Sequence, residues 1–393
     1  MPLGLYISVP FCRTKCTYCN FSSGVFSRQI FESYVARVCA EIERSRQTAL
    51  HMGGLLEGKV DSIYFGGGTP TVLDVAQLER LFVTIRQNFE VAPDAEITVE
   101  CAPATASGSM LDGLAGCGVN RVSLGVQSFI DQESAAAGRL HKRSMVLDDV
   151  VRLRSGGISN INIDLIAGLP HQTRESWEAS LDELIALGAP HASIYMLEVD
   201  EDSRLGRELL AGGRRYHAHF VPDEDLTAEL YEIACERLNR ARIRQYEISN
   251  FARAGLESRH NLKYWTSQPY FGFGLDAHSM LHGKEHGAAV RFSNPDSLDE
   301  YLAGGRRACT PVSPQASIEE AFFLGLRLNR GVDLERMASE LGEEPVAAYS
   351  GKISELTDAG LVQNQRGLIR LTPRGRLLSN EVFERFISAA GSV

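Results

Sequence analysis

The feature that constrains this chain most is a group of three cysteines, Cys12, Cys16 and Cys19, directly after an apolar run over 5–11. The run favours a strand, so the cysteines are predicted on the turn that follows it. Thiolates at this spacing suit a soft metal, and cysteines are the usual ligands of iron–sulfur clusters. No fourth cysteine is nearby, so a four-iron cluster would keep one iron open for S-adenosylmethionine (SAM). The alternative is a zinc site of three cysteines and one distant histidine.

Strand-like and helical segments alternate up to about residue 250. Strands are predicted at 5–9, 60–65, 95–101, 121–126, 160–166 and 192–199, and helices near 28–47, 74–88, 108–116, 143–155 and 174–187. Such alternation is typical of parallel βαβ units. Six units in a row predict an α/β fold built as a complete or partial barrel. Polar residues end most of these strands, where barrel chemistry gathers.

Gly66-Gly67-Gly68-Thr69-Pro70 ends the second predicted strand. Glycines allow close backbone approach and positive φ, so exposed amides can cradle the polar end of a ligand. No Gly-Lys-Ser/Thr follows, which excludes a P-loop. The alternative is a flexible strand-to-helix turn.

Composition limits the partners and the compartment. The chain carries 40 Lys and Arg against 50 Asp and Glu, a net charge of −10, which disfavours nucleic-acid binding. No window of 18 apolar residues occurs, so no signal peptide or integral membrane span is predicted. The remaining cysteines are scattered singly and fit a reducing cytoplasm; they are Cys39, Cys101, Cys117, Cys235 and Cys309.

The pattern changes after Pro311 and Pro314. Helices near 317–328, 333–341 and 345–359 and two short apolar runs predict a winged-helix-like α+β module over 311–393. DNA binding is an alternative function for this module because it carries a group of basic residues, Arg366, Arg370, Arg374 and Arg376. The net negative charge of the whole chain disfavours that alternative. We therefore predict three parts, a barrel core over 1–250, a connecting region over 251–310 and this module.

The three-cysteine loop and the glycine motif resemble the radical SAM superfamily. Within it, the chain resembles oxygen-independent coproporphyrinogen III oxidases and their relatives, the HemW-type haem chaperones. The resemblance implies a partial (β/α)6 TIM-type barrel and a [4Fe-4S] cluster held by Cys12, Cys16 and Cys19. It also implies SAM contacts at Tyr6, Tyr18, Gly67, Gly68, Thr69 and Glu100. Three further positions match residues that bind a second SAM in the oxidase, namely Gln127, Arg139 and Asp164.

Two departures separate the chain from the oxidase pattern. Phe21 stands where the oxidases carry a fourth cysteine, and only eleven residues precede Cys12. Both features match the HemW type, as does the intact HNxxYW motif from His260 to Trp265. The resemblance implies that His260 ligates haem, while a histidine satisfied in an aromatic core is the alternative. Rival ligands are His217, His219, His278, His282 and His286.

The sequence therefore predicts a haem chaperone that binds haem together with a SAM-associated [4Fe-4S] cluster. It would pass haem to acceptor proteins, with respiratory proteins among the candidates, in the cytoplasm or peripherally at a membrane. The alternative is a SAM-dependent coproporphyrinogen III oxidase of porphyrin biosynthesis. No catalytic side chain is assigned, since the radical would abstract hydrogen without a protein acid or base. The sequence leaves the oligomeric state open.

Overall fold

The computed structural model describes residues 1–56, 58–213, 215–285 and 287–387. Within these ranges twelve strands form one sheet and three form a second. The first six are β1 (Leu3–Val9), β2 (Val60–Gly67), β3 (Val91–Cys101), β4 (Arg121–Gln127), β5 (Asn160–Ala167) and β6 (His191–Met196). The next six are β7 (Arg244–Gln245), β8 (Asn250–Ala252), β9 (Tyr270–Phe273), β10 (His278–His282), β11 (Ala289–Ser293) and β12 (Ala308–Val312). The small sheet holds β13 (Val332–Asp333), β14 (Val362–Gln365) and β15 (Leu368–Leu371).

Helices connect these strands. In the first half they are α1 (Gln29–Glu43), α2 (Ser45–His51), α3 (Val75–Asn88), α4 (Gly108–Gly116), α5 (Asp131–Ala136), α6 (Arg143–Ser155), α7 (Arg174–Ala186), α8 (Arg204–Ala211) and α9 (Glu224–Arg240). Later come α10 (Arg259–Trp265), α11 (Leu298–Leu302), α12 (Pro314–Arg327), α13 (Leu334–Leu341), α14 (Glu343–Ala347), α15 (Ser350–Asp358), α16 (Pro373–Leu377) and α17 (Ser379–Glu384). Single 3₁₀ turns occupy Pro70–Val72 and Ala218–Phe220.

The first six strands lie side by side in chain order, and each pairs in parallel with the next. Helices such as α3 and α7 join them, each begun by a reciprocal capping box, at Asp74 with Gln77 and at Thr173 with Ser176. The prediction of an α/β partial barrel is confirmed. All six predicted strands and their intervening helices form, with ends that differ by a few residues.

Alternate residues of these strands face opposite sides of the sheet. One set is apolar and packs against the helices, as Leu5, Ile7 and Ile63 do with exposed fractions of 1% or less. The other set is polar and faces the barrel interior; it includes Tyr6, Tyr64, Glu100, Arg121, Ser123, Asn162, Asp164, His191 and Ser193. The interior of this barrel is therefore a place for polar ligands rather than a dry core.

Residues 251–310, predicted as a connecting region, extend the same sheet. Strand β9 pairs in parallel with β1, and β10 to β12 follow as antiparallel neighbours. One hydrophobic core runs from Leu3 to Tyr301. The helix α10 packs across the N-terminal ends of the first strands, where Ser62 and Glu96 hold it. The sheet and the core thus continue past residue 250. The domain boundary at residue 250 stays a prediction.

Residues 246–249 form a turn between β7 and β8. The carboxylate of Glu247 turns inward and accepts hydrogen bonds from the Ser249 amide, at 3.1 Å, and from the Asn250 side chain. These local bonds replace the ladder of a strand at this point.

A second hydrophobic core gathers the C-terminal residues from Ile318 to Phe386, together with Ile248 of the barrel part. Helices α12, α13 and α15 pack beside the small sheet of order β13-β15-β14, as a winged helix does. His286 and residues 388–393, the last six of the predicted module, lie outside the described residues. In the part of the chain that is described, no helix is both long and apolar enough to span a bilayer.

Candidate cluster and SAM site

The three-cysteine loop leaves the C-terminal end of β1. The Cys12 amide donates to the Gly24 carbonyl at 2.8 Å, and the Gly24 amide returns a bond to Pro10 at 2.9 Å, which closes the loop on itself. Cys16 is 8% exposed, while Cys12 and Cys19 are partly exposed. Burial raises the pKa of the Cys12 thiol, and the neighbouring Cys19 and Cys16 raise it further. The thiols are close enough to repel one another as thiolates, which fits a shared metal cluster that would stabilise their charge.

A cation stands beside the cysteines. The guanidinium of Arg139 donates to the Cys16 sulfur at 3.3 Å and also to the Gly125 carbonyl. Tyr18 of the loop packs with Ile166 and Leu169 at the end of β5. Arg139 thus offers positive charge to ligands that are anionic when they bind iron. Among the described residues, no three His, Cys, Asp or Glu side chains are arranged to hold a single metal ion.

The glycine motif passes directly beneath the cysteine loop. A Cβ on Gly68 would lie 2.8 Å from the Val9 carbonyl oxygen and 2.9 Å from that of Phe11. Gly67 has a φ of +95°, and a Cβ there would meet the Ser8 hydroxyl at 2.9 Å. The Thr69 amide donates to the Phe11 carbonyl at 2.8 Å. Only glycine fits this close crossing, so the motif is more than a flexible turn.

Carboxylates line the barrel interior below this crossing. The Tyr64 hydroxyl donates to Glu100 at 2.8 Å, and burial raises the pKa of Glu100 to about 7. Asp164 accepts from the Ser123 hydroxyl at 3.0 Å and the Asn162 amide at 2.7 Å, and burial raises its pKa as well. Carboxylates in this setting can bind the amino group or the ribose hydroxyls of a nucleoside such as SAM.

Arg121 sits among these carboxylates with an exposed fraction of only 2%. Its charge lowers the pKa of both Glu100 and Asp164 against the effect of their burial. Its Nε has no hydrogen-bond partner within the described residues. Sequence reasoning missed this residue, although the period-2 spacing Arg121, Ser123, Gly125 and Gln127 along β4 would have placed it on the polar face.

A cavity of about 290 Å³ opens from the barrel interior toward the cysteine loop. Tyr6 and Gly67 line it together with Phe21, Tyr264, Tyr270 and His278. Ser22 on the loop donates to Asp276 at 2.9 Å, which ties the loop to the β9–β10 connection. Phe21, the residue that replaces a fourth cysteine, is 67% exposed at this opening.

The HNxxYW motif lies at the other end of the barrel. His260 is 1% exposed; its Nδ1 lies 3.1 Å from the Ser62 hydroxyl and its Nε2 lies 2.8 Å from the Tyr264 hydroxyl. Its ring stacks on Tyr64 with centroids 5.3 Å apart. Burial lowers the pKa of His260 to about 3. Both ring nitrogens are engaged, so iron could bind only after a hydrogen bond broke and the ring left the core. The haem ligation implied for His260 would require this core packing to open, and it stays a prediction.

The predicted site residues thus fall into two groups. At the C-terminal ends of the strands the structure brings together Cys12, Cys16, Cys19, Tyr6, Tyr18, Gly67, Gly68, Thr69, Glu100, Gln127, Arg139 and Asp164. Gln127 ends β4 with a φ of +69° beside a break in the strand register. His260 lies toward the N-terminal ends of the strands, and its ring centroid is 6.3 Å from that of Tyr6.

Comparison with known proteins agrees with this geometry. Residues 6–184 match the Radical SAM superfamily and residues 312–378 match the HemN C-terminal domain. The chain is 35% identical to the "Heme chaperone HemW" of Bacillus subtilis, over 97% of this chain and 98% of that protein. It is 32% identical to the bovine mitochondrial "Radical S-adenosyl methionine domain-containing protein 1", covering 93% and 83%. The structure of coproporphyrinogen III oxidase (HemN) from Escherichia coli superposes with a TM-score of 0.82 at 25% identity, covering 98% and 90%.

The fold and the three-cysteine loop therefore define a radical SAM protein, a class that binds a [4Fe-4S] cluster and SAM. Within that class, this chain belongs to the HemW family. The sequence-based assignment of the family is confirmed.

Proposed function

We propose that this protein is a haem chaperone, which binds haem and passes it to haem-accepting proteins. The observation that carries the proposal is full-length similarity, at about 35% identity, to several proteins named haem chaperone. Phe21 in place of the fourth cysteine of the oxidases points the same way. Acceptors at the respiratory membrane, reached from the cytoplasm by peripheral contact, are part of the proposal.

We assign the cluster to Cys12, Cys16 and Cys19, with SAM held on its open side. When bound, these groups would supply one-electron chemistry. Arg139 offsets thiolate charge at Cys16, and the Gly67–Gly68 crossing positions Thr69 at the mouth of the barrel. Glu100 and Tyr6 face the same space and are assigned as SAM contacts, together with Tyr18. Gln127, Arg139 and Asp164 would border a second SAM.

A second candidate, the coproporphyrinogen III oxidase, is favoured by the TM-score of 0.82 to the Escherichia coli enzyme. The likeness covers both the barrel and the C-terminal module, so it supports a shared fold. In the loop after Cys19, Phe21 stands where the resemblance to the oxidases implies an additional cysteine. We therefore favour the chaperone.

One pair of assays on the full-length, anaerobically reconstituted protein tests the proposal. Hemin is titrated and followed at the Soret band, and transfer from the loaded protein to an apo-haem protein is then measured. In parallel, coproporphyrinogen III, SAM and a reductant are supplied. We expect saturable hemin binding, transfer, and no protoporphyrinogen. Turnover on the order of 1 per second without hemin binding would assign the protein to the oxidases instead.

A further inference from the structure

Three histidines and an exposed phenylalanine meet on the surface beyond the C-terminal end of β5. The Nε2 of His171 lies 3.0 Å from the Nδ1 of His217. The rings of His171 and His219 each lie with their centroids 4.0 Å from that of Phe220. Sequence analysis names His217 and His219 as rival haem ligands and does not name His171. The fold brings all of them to one patch.

The backbone fixes this patch. The His171 amide donates to the Phe220 carbonyl at 3.0 Å, and the Phe220 amide donates to the His217 carbonyl at 2.9 Å. His171 and His217 have φ values of +67° and +61°, in the left-handed region that non-glycine residues seldom adopt. Residues held in this region tend to cluster at functional sites, because the surrounding structure must offset their cost.

The chemistry of the patch favours haem over a bare metal ion. A bare transition metal usually takes three or four protein ligands, and no such group of three is present in the described ranges. Haem iron already has four pyrrole nitrogens and needs only an axial ligand, typically an imidazole. Haem also needs apolar contact. Phe220 is 47% exposed, and α8, which packs on the turn that bears it, exposes Leu209 at 44% and Leu210 at 71%.

The hydrogen bond between the two imidazoles supports one ligand in particular. If the Nδ1–H of His217 donates to His171, the Nε2 of His217 keeps its lone pair and the ring is oriented. Histidines that bind metals usually donate their other nitrogen in this way, which raises their basicity.

The patch also stands beside the cluster loop. Leu169, two residues before His171, packs in one small cluster with Tyr18. The Leu205 amide at the start of α8 donates to the Thr17 carbonyl at 2.8 Å. A ligand on the patch would therefore contact elements whose position depends on the cysteine loop. None of the patch residues lines the cavity beside Tyr6 and Gly67, which we call the SAM cavity.

We propose that this patch is the haem site, with His217 as the axial ligand, His171 as the residue that orients it, and the exposed part of Phe220 as an apolar contact of the porphyrin. The inference rests on the proposed chaperone function and adds the location of its cargo. Arg215, exposed two residues before His217, supplies a cation for a propionate. An open site of this kind suits a protein that must release its haem.

The test is hemin titration of the reconstituted full-length protein and of its His217→Asn, His171→Asn and Phe220→Ala variants. Asparagine tolerates the left-handed conformation, so the backbone of the patch is kept. We expect His217→Asn to shift the Soret band and weaken binding on the order of tenfold or more. His171→Asn should weaken binding less, with a retained but shifted iron–histidine band in resonance Raman. Phe220→Ala should weaken binding and leave the ligand unchanged.

Two controls separate the outcomes. His51→Asn removes an exposed histidine at the end of α2, and His278→Asn removes the histidine at the SAM cavity; neither should change the spectrum. An unchanged spectrum and affinity in His217→Asn, or a lost Soret band in His278→Asn, would overturn the site while leaving the chaperone function intact. Failure of the native protein to bind hemin would overturn both. Thermal unfolding and the cluster absorbance of each variant confirm that it is folded.

Discussion

The Nε2 of His260 lies 2.8 Å from the hydroxyl of Tyr264, one helical turn further along α10. This bond joins the histidine and the tyrosine of the HNxxYW pattern within the helix. The same helix is held at its start by Glu96, which accepts from the amides of Arg259 and His260 at 3.1 Å each. Lys263 pairs with Asp61 at 2.7 Å. The motif therefore closes the N-terminal end of the barrel. Of His260, Lys263 and Tyr264, only Tyr264 lines the 290 Å³ cavity.

A His260→Ala variant tests this packing role. It removes two buried hydrogen bonds and leaves the hydroxyls of Ser62 and Tyr264 without that partner. We expect the free energy of unfolding to fall by about 1–3 kcal/mol, measured by urea denaturation. The Soret band of the hemin complex should not change. An unaltered stability combined with a lost Soret band would support the haem-ligand assignment of His260.

The low pKa of His260 predicts a pH dependence of stability. Its pKa is about 3 in the folded protein and about 6.5 when exposed, so only the unfolded state takes up this proton as the pH falls between these values. The stability it contributes is present above about pH 6.5 and is lost toward pH 3, by up to about 1.4 kcal/mol per pH unit. Urea denaturation at about pH 7 and pH 5 should show a shallower loss for His260→Ala than for the native chain. His191, whose pKa burial also lowers, is common to both proteins and cancels. Equal slopes would contradict the assignment.

The barrel could be predicted because its signals are local. Six apolar runs alternate with helices, and each strand needs only its own spacing to be recognised. The position of His260 in the fold could not be predicted from the sequence, because its partners Ser62 and Glu96 are 198 and 164 residues away along the chain. An aromatic neighbourhood suggested a porphyrin, whereas the fold fills that neighbourhood with Tyr6, Tyr64 and Tyr264. The strands β9 to β12 were missed for a related reason, since they are short and join the sheet beside β1 across the whole chain.

Cysteine variants test the cluster. Replacing Cys12, Cys16 or Cys19 by alanine removes one of three thiolate ligands, and each variant should lose the four-iron centre after anaerobic reconstitution. Iron and sulfide content and the visible spectrum measure this. Cys309→Ala, which removes an exposed thiol outside the loop, is the matched control and should retain the full cluster. A native protein that took up zinc and formed no four-iron centre would refute the assignment.

The crossing at Gly68 predicts a strong effect of one methyl group. Gly68→Ala would place its Cβ within 2.9 Å of two backbone carbonyl oxygens, so the cysteine loop or the glycine motif must move. We expect a loss of stability of about 1–3 kcal/mol and weaker SAM binding, measured by calorimetry on the reconstituted protein. Gly116→Ala at the end of α4 is the control, because a Cβ there has no neighbour within 4 Å. If both variants bound SAM like the native protein, the close crossing would not matter for the site.

The C-terminal module is joined to the HNxxYW helix through Arg327. Its guanidinium lies 4.2 Å from the centroid of the Trp265 ring, and its Nη2 lies 3.8 Å from the carboxylate of Glu247. Glu247 is fully buried, and burial raises its pKa while Arg327 lowers it. Removing the guanidinium leaves that carboxylate without its cation and the indole without its charged partner.

Arg327→Met removes the guanidinium and keeps the apolar stem of the side chain. Because Glu247 and Trp265 lose their charged partner, the free energy of unfolding should fall by about 1–3 kcal/mol. A double-mutant cycle with Trp265→Phe should give a coupling of about 0.5–2 kcal/mol, measured by urea denaturation. Arg330→Met, at an exposed position three residues on, should stay within about 0.5 kcal/mol of the native protein. Because Trp265 ends the helix that carries His260, the Arg327 variant should also loosen α10, seen as faster amide hydrogen exchange over 259–265. If amide exchange over 259–265 were unchanged and only the C-terminal module were destabilised, α10 and the module would be energetically independent.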